Sequence, residues 1–132
     1  MKLRDGLRFH DGEPVRARDC VASIRRWIKR DQIGLSIEAR TNELVATDDR
    51  TLVWRLKKPF SALPYALCRH QPSCIIMPER LALTDPYKQV TEMVGSGPFR
   101  FAADEYVTGS RVVYARNDRY VPRPEPVDYC AG

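Results

Sequence analysis

The chain has 132 residues, of which 43% are hydrophobic and 30% charged, a composition typical of one globular domain and not of a disordered chain. No apolar run approaches the roughly 20 residues that a membrane-spanning helix needs, which excludes such a helix. The net charge is +5. Because no nucleic-acid-binding motif accompanies this excess, we expect a solvated helix face and no nucleic-acid partner.

Two Asp-Gly pairs mark turns near the beginning of the chain. Asp5-Gly6 and Asp11-Gly12 each combine a side-chain acceptor with a residue that tolerates positive φ, so each pair predicts a tight reversal. The Leu-x-Phe run at residues 7–9 lies between the two turns and predicts a short strand.

A helix is predicted over residues 17–30, because apolar residues recur there at three- and four-residue spacing. The apolar positions are Ala17, Cys20, Val21, Ile24, Trp27 and Ile28. Its beginning is poorly capped, since Arg16 and Arg18 lie where an acceptor is preferred and only Asp19 offsets them. Gly34 is expected to mark the exit from this helix.

A β-hairpin is predicted from residues 43–46 and 51–57, with Asp48-Asp49-Arg50 between the strands. Leu52, Trp54 and Leu56 alternate with mainly polar residues, so one face of the second strand should be buried. A short helix is expected within residues 60–67, where Pro64 is tolerable only in the first turn.

The second half of the chain predicts shorter elements. Residues 75–77 (Ile-Ile-Met) indicate a brief apolar strand, and residues 78–83 indicate one or two helical turns. The Gly-rich bend at residues 95–98 leads into a further strand, and a turn at Thr108-Gly109 returns the chain through residues 112–114.

No combination of residues indicates catalysis. His10 lies in a turn with no nucleophile or orienting group near it in sequence, so a local hydrogen bond is its expected role. The bend Gly95-Ser96-Gly97 precedes a proline and a strand, which does not fit a phosphate-binding loop. We therefore expect no enzyme and no cofactor.

The cysteines leave three interpretations open. Cys20 belongs to the apolar stripe of the first helix and is expected to be a small buried hydrophobe. Cys68 and Cys74 are either free thiols or a disulfide that closes a small loop in an oxidising compartment. A metal site with His70 is the third interpretation, but the spacing matches no zinc signature, so no metal is expected.

Five blocks of sequence resemble, in order, those of the peptide- and nickel-type extracellular solute-binding proteins of bacterial ABC transporters. The family patterns are L-R-x-G-x-x-F-H-D-G, A-x-D-V-x-x-S-I, D-D-x-T with L-K-K-P-F, G-x-G-P-[YF] and R-N-x-x-Y. The matching stretches are residues 3–12, 17–24, 48–51 with 56–60, 95–99 and 116–120. Departures occur at Arg16, Cys20 and Ser96, none of which affects a catalytic group, because the family is not enzymatic.

The elements predict an α+β fold, with a small, mainly antiparallel sheet packed against the main helix and short helices around it. The resemblance implies that residues 1–121 are a subdomain of the first lobe of a type II periplasmic binding protein fold. Residues 122–132, with prolines at every second position from Pro122 to Pro126, are expected to form a Pro-rich extended connector.

The resemblance further implies capture of an oligopeptide or similar small solute in the periplasm and its delivery to ABC permease subunits, by closure of two lobes. Because Met1-Lys2 leads directly into a charged segment, we expect the export signal to lie outside this sequence. The alternative is a solute-sensing or interaction module of a regulatory protein. A lobe without its neighbours should expose apolar surface, so self-association is also expected.

Ligand contacts in the family come from both lobes and the hinge, so few are expected here. The predicted ligand-facing segment is the loop after the first helix, with Asp31, Gln32 and Gly34, and Trp27 just before it. The competing interpretation is an ordinary surface connection, with Trp27 as a core residue.

Overall fold

The computed structural model describes residues 1–69 and 73–124. Four helices and two antiparallel strand pairs form an α+β fold, as the sequence predicts. The helices are α1 (Ala17–Ile28), α2 (Gln32–Arg40), α3 (Leu63–Leu67) and α4 (Glu79–Ala82). The strands are β1 (Thr41–Ala46), β2 (Leu52–Leu56), β3 (Phe99–Phe101) and β4 (Tyr114–Arg116), with a 3₁₀ turn at Ala103–Glu105. No helix in the two described ranges is long and apolar enough to cross a membrane.

Helix α1 supplies half of the buried core cluster, because its predicted apolar stripe is buried along its whole length. The six apolar residues of the stripe are joined in one cluster by side chains from the first turn region, α2, the β1–β2 hairpin and α3. These additional members are Phe9, Val15, Ile37, Leu44, Leu52 and Ala66. The hairpin, with β1 and β2 paired antiparallel as predicted, therefore packs its buried leucines on α1.

A buried carboxylate caps the beginning of α1, which the sequence predicts to be poorly capped. Asp19 is only 6% exposed, and its Oδ2 accepts a hydrogen bond of 2.7 Å from the backbone N–H of Arg16. Its Oδ1 accepts a second bond, of 2.8 Å, from the backbone N–H of Glu79 at the beginning of α4. One side chain thus caps two helices that are 60 residues apart in sequence.

The predicted strand at residues 75–77 is wrong. The Oγ of Ser23, one turn after Asp19 on α1, accepts from the backbone N–H of Met77 at 3.0 Å and donates to its carbonyl at 3.1 Å. A helix side chain therefore satisfies the backbone groups that a neighbouring strand would otherwise bond. The apolar run packs on the helix without becoming part of a sheet, and Ile76 contacts the core.

The expected single sheet is replaced by two separate strand pairs, β1–β2 and β3–β4. The β3–β4 hairpin is attached to the rest of the fold through the bend that precedes it. The carbonyl of Gly97 accepts one hydrogen bond from His10 Nε2 and another from Asn117 Nδ2, each at 3.1 Å. His10 Nδ1 also accepts from the backbone N–H of Gly95 at 3.3 Å, which fixes the Nε2–H tautomer.

The two predicted Asp-Gly turns form, with φ of +75° at Gly6 and +96° at Gly12. Between them, only an isolated bridge from Arg8 to Pro14 forms, so the predicted strand at residues 7–9 is much reduced. Of the predicted connector, residues 122–124 have no regular helix or strand, and residues 125–132 lie outside the described part of the chain.

Replacing Asp19 by alanine should lower the free energy of unfolding by about 3 kcal/mol, because two partly buried N–H groups lose a charged acceptor. Urea denaturation of the 132-residue chain measures the effect. Asp104→Ala, at an exposed position in the 3₁₀ turn, removes the same charge as a control and should change stability by less than about 0.5 kcal/mol. Equal losses in the two variants would contradict the capping role.

Candidate functional site

A concave site, which we call the Trp27 pocket, lies beside the second half of α1. Its volume is about 360 Å³. The lining residues are Ser23, Arg26, Trp27, Arg30, Ser73, Ile75 and Met77. Trp27 is 7% exposed and also belongs to the core cluster, so its ring serves both the interior and the pocket wall.

The predicted loop conformation after α1 is wrong, because residues 31–34 form the N-cap and first turn of α2. Asp31 is the N-cap, and its Oδ1 accepts a hydrogen bond of 2.8 Å from the backbone N–H of Gly34. The same carboxylate is buried and lies 3.5 Å from Nη1 of Arg69. The signal was present in the sequence, since an aspartate followed by Ile33 and Ile37 at helical spacing is a typical helix start.

Gly34 allows α1 and α2 to pack closely. A Cβ at this position would lie 2.8 Å from the Cα and 3.0 Å from the carbonyl oxygen of Ile28, both backbone atoms that cannot move independently. Gln32 is exposed on the first turn of α2. Of the four predicted site residues, only Trp27 lines the pocket. Asp31 caps α2, and Gly34 lies against the backbone of Ile28.

The side chains that line the pocket are suited to binding a solute. The guanidinium of Arg26 donates to the carbonyls of Thr84 and Lys88 at 2.6 and 2.7 Å, which holds it in place. Arg30 is exposed, and the Ser23 hydroxyl is already bonded to Met77. An aromatic wall beside guanidinium groups suits a solute that carries both apolar and anionic groups.

The three described cysteines, Cys20, Cys68 and Cys74, are free thiols. Burial, with smaller effects of neighbouring charges, raises the pKa of Cys20 to about 11 and that of Cys74 to about 12. Within residues 1–69 and 73–124, no group of three potential ligands could hold a metal ion. His70 and Cys130 lie outside those ranges.

A family model described as bacterial extracellular solute-binding proteins, family 5 Middle, matches residues 1–130. The chain belongs to this family. Membership confirms the resemblance that the five sequence blocks predict, and the proteins of the family are transporter binding proteins and not enzymes.

Curated relatives carry names from the same functional class. The chain is 48% identical over 131 residues to the "Probable peptide ABC transporter periplasmic-binding protein y4tO" of Sinorhizobium fredii, covering 99% of this chain and 24% of the relative. It is 33% identical over 106 residues to the glutathione-binding protein GsiB of Pectobacterium atrosepticum, covering 78% of this chain and 20% of that protein. This family member therefore spans about a quarter or less of the length of these relatives.

Solved structures show the same fold in part of larger proteins. The periplasmic binding protein AgaA of A. tumefaciens R10, in complex with agropinic acid, matches with a TM-score of 0.68 and 29% identity, covering 91% of this chain and 24% of that one. A nickel ABC transporter structure from Bacillus halodurans matches with a TM-score of 0.67 and 26% identity, covering 90% and 23%.

Gly34→Ala should destabilise the chain by about 2 kcal/mol although alanine favours helices, because its Cβ would collide with the backbone of Ile28. Gly97→Ala is the matched control, since a Cβ there meets nothing within 4 Å. Thermal and urea denaturation of both variants measure the difference. A Gly34→Ala protein at least as stable as the unsubstituted chain would contradict the close packing.

Alkylation by iodoacetamide at pH 8 should modify Cys68 well before Cys20 and Cys74, because the reactive thiolate is scarce where burial raises the pKa to about 11 or 12. Mass spectrometry of peptides from a time course separates the three sites. In urea all three rates should become similar. Rapid modification of Cys74 in the folded chain would contradict its partial burial.

Proposed function

We propose that this chain is part of the periplasmic substrate-binding component of an ABC transporter, which captures an oligopeptide or similar small solute and delivers it to the membrane permease. The observation that carries the proposal is the family match over residues 1–130. The names of three relatives support a peptide solute, since they refer to a peptide, to glutathione and to a D,D-dipeptide.

In this proposal residues 1–121 are a subdomain of the first lobe, and residues 122–132 connect it to the remaining protein. The relatives' greater length supports this arrangement, since this chain covers 24% of the relative from Sinorhizobium fredii. The Trp27 pocket would provide one wall of the solute site, and the rest of the protein would provide the opposite wall on closure.

The chemistry of the pocket fits a peptide. The ring of Trp27 offers apolar contact, and the guanidinium of Arg30 can pair with a carboxylate of the solute. Gln32, on the exposed first turn of α2, would be a further contact from the segment predicted from the sequence. Asp31 and Gly34 would act indirectly, by fixing where α2 begins relative to α1.

The isolated chain is also proposed to self-associate. Its second hairpin leaves large apolar side chains in water, with Phe99 60% and Tyr114 59% exposed. These two residues lie on the same face of the β3–β4 pair, because Phe101 pairs with Tyr114 and lies two residues after Phe99. An apolar face of this kind favours association with a second copy when no other part of the protein covers it.

A hybrid receptor tests the function. The matching 131-residue segment of the Sinorhizobium fredii relative is replaced by this chain, and binding of a mixture of di- and tripeptides is measured by calorimetry against the unmodified relative. We expect the hybrid to retain peptide binding. In the hybrid, Arg30→Gln should weaken binding about tenfold, because one charge-assisted contact is lost.

Lys58→Gln is the matched control, an exposed residue outside the pocket that removes the same charge. A hybrid that is folded by circular dichroism but binds no peptide bound by the relative would refute the proposed function. A hybrid that binds peptide equally well with Arg30→Gln and with Lys58→Gln would refute only the role of the Trp27 pocket.

A further inference from the structure

A second pocket, away from the residues that line the Trp27 pocket, is lined by four arginines and one carboxylate. It has a volume of about 330 Å³ and lies between the first Asp-Gly turn, the beginning of α1 and the β1–β2 turn. We call it the arginine pocket. Its charged lining residues are Arg4, Arg8, Arg16, Asp49 and Arg50.

Protein carboxylates neutralise this cluster only partly. Asp49 is 82% exposed at its side chain, and its Oδ2 lies 3.9 Å from Nε of Arg16, at the outer limit of an ion pair. Arg50 pairs with Asp5, which does not line the pocket. Among the ion pairs of the described residues, none involves Arg4 or Arg8.

The donors of these side chains are also incompletely used. Arg8 donates from Nη1 to the carbonyl of Gly12 at 2.9 Å, and Arg50 donates from Nη2 to the carbonyl of Leu3 at 3.0 Å. The Nε of Arg50 is buried and has no hydrogen-bond partner. A guanidinium carries five N–H donors, so most of the donors of Arg4, Arg8 and Arg16 have no protein acceptor in the described part of the chain and remain for a ligand.

Backbone contacts hold the walls of the pocket together before any ligand binds. The N–H of Val15 donates to the carbonyl of Leu7 at 3.0 Å, and the N–H of Ala17 donates to the carbonyl of Asp49 at 2.8 Å. Gly6, with φ of +75°, makes the reversal that brings Arg4 and Arg8 to the same pocket. The positive charges are therefore concentrated by a fixed framework, and their mutual repulsion is relieved when an anion binds.

We propose that the arginine pocket binds a multiply charged oxyanion of the phosphate type. Guanidinium groups bind phosphate oxygens in paired, charge-assisted hydrogen bonds, and a dianion offsets more of the excess charge than a single carboxylate does. The same chemistry is offered by free phosphate and by a phospholipid head group, and the cavity volume accommodates either. This proposal does not depend on the solute of the transporter.

Phosphate titration of the 132-residue chain tests the site, with calorimetry and amide chemical shifts up to about 10 mM phosphate at constant ionic strength. We expect saturable binding, with the largest shifts near Gly6 and Arg16. The double variant Arg4→Gln/Arg8→Gln should weaken binding by about tenfold or more. Circular dichroism checks that this variant is folded.

The charge-matched control is Arg100→Gln/Arg116→Gln, because both residues are exposed on the β3–β4 hairpin and outside the pocket. This control should change the affinity for phosphate less than about twofold. Cosedimentation with phosphatidylglycerol/phosphatidylcholine vesicles, with and without free phosphate, distinguishes the two sources. Vesicle binding that the pocket variant loses and phosphate competes away identifies a lipid head group, whereas phosphate binding without vesicle binding identifies a free anion.

Two results would overturn the proposal. One is the lack of saturable phosphate binding together with vesicle binding that is absent or equal in the two double variants. The other is an equal loss of phosphate affinity in both double variants, which would indicate general attraction to a positively charged chain and no defined site.

Discussion

The fold depends on two polar side chains in the otherwise apolar inner surface of α1. Asp19 and Ser23 are buried one helical turn apart, and between them they bond the backbone of residues 77 and 79. Buried polar groups are costly unless they are paired, so this segment has one favourable position on the helix. The position of α4 and one side of the Trp27 pocket follow from these bonds, since Met77 belongs to both the bonded segment and the pocket wall.

Local sequence patterns predict the elements whose partners are close in the chain. The periodicity of residues 17–30 predicts α1, and the alternation at residues 51–57 predicts β2, because in both cases one apolar face is buried. Helix α2 is missed because Gly34 resembles a helix terminator. In the structure this glycine allows α2 to lie close to the backbone of Ile28. Helix propensity carries no information about such a contact.

Contacts between residues distant in sequence explain the remaining differences between the predictions and the structure. Residues 75–77 have the composition of a strand, but their hydrogen-bond partner is the side chain of Ser23, more than 50 residues earlier. Trp27 is the one predicted site residue that lines its pocket, because a residue near the end of a helix can face both the core and a cavity. The arginine pocket gathers side chains from positions 4 to 50, so its charge is visible in the sequence only as part of an overall excess.

The β3–β4 hairpin is not part of the β1–β2 sheet, and it contacts the first turn region of the chain at the bend around Gly97. The β3 and β4 strands share no strand pairing with β1 and β2, and the carbonyl of Gly97 receives side chains from both His10 and Asn117. The hairpin is thus joined to the first turn region, and from there to the beginning of α1, by the bend and by the Arg119–His10 hydrogen bond and not by a continuous sheet. A displacement of β3 and β4 would therefore leave the hydrogen bonds of the β1–β2 register unchanged.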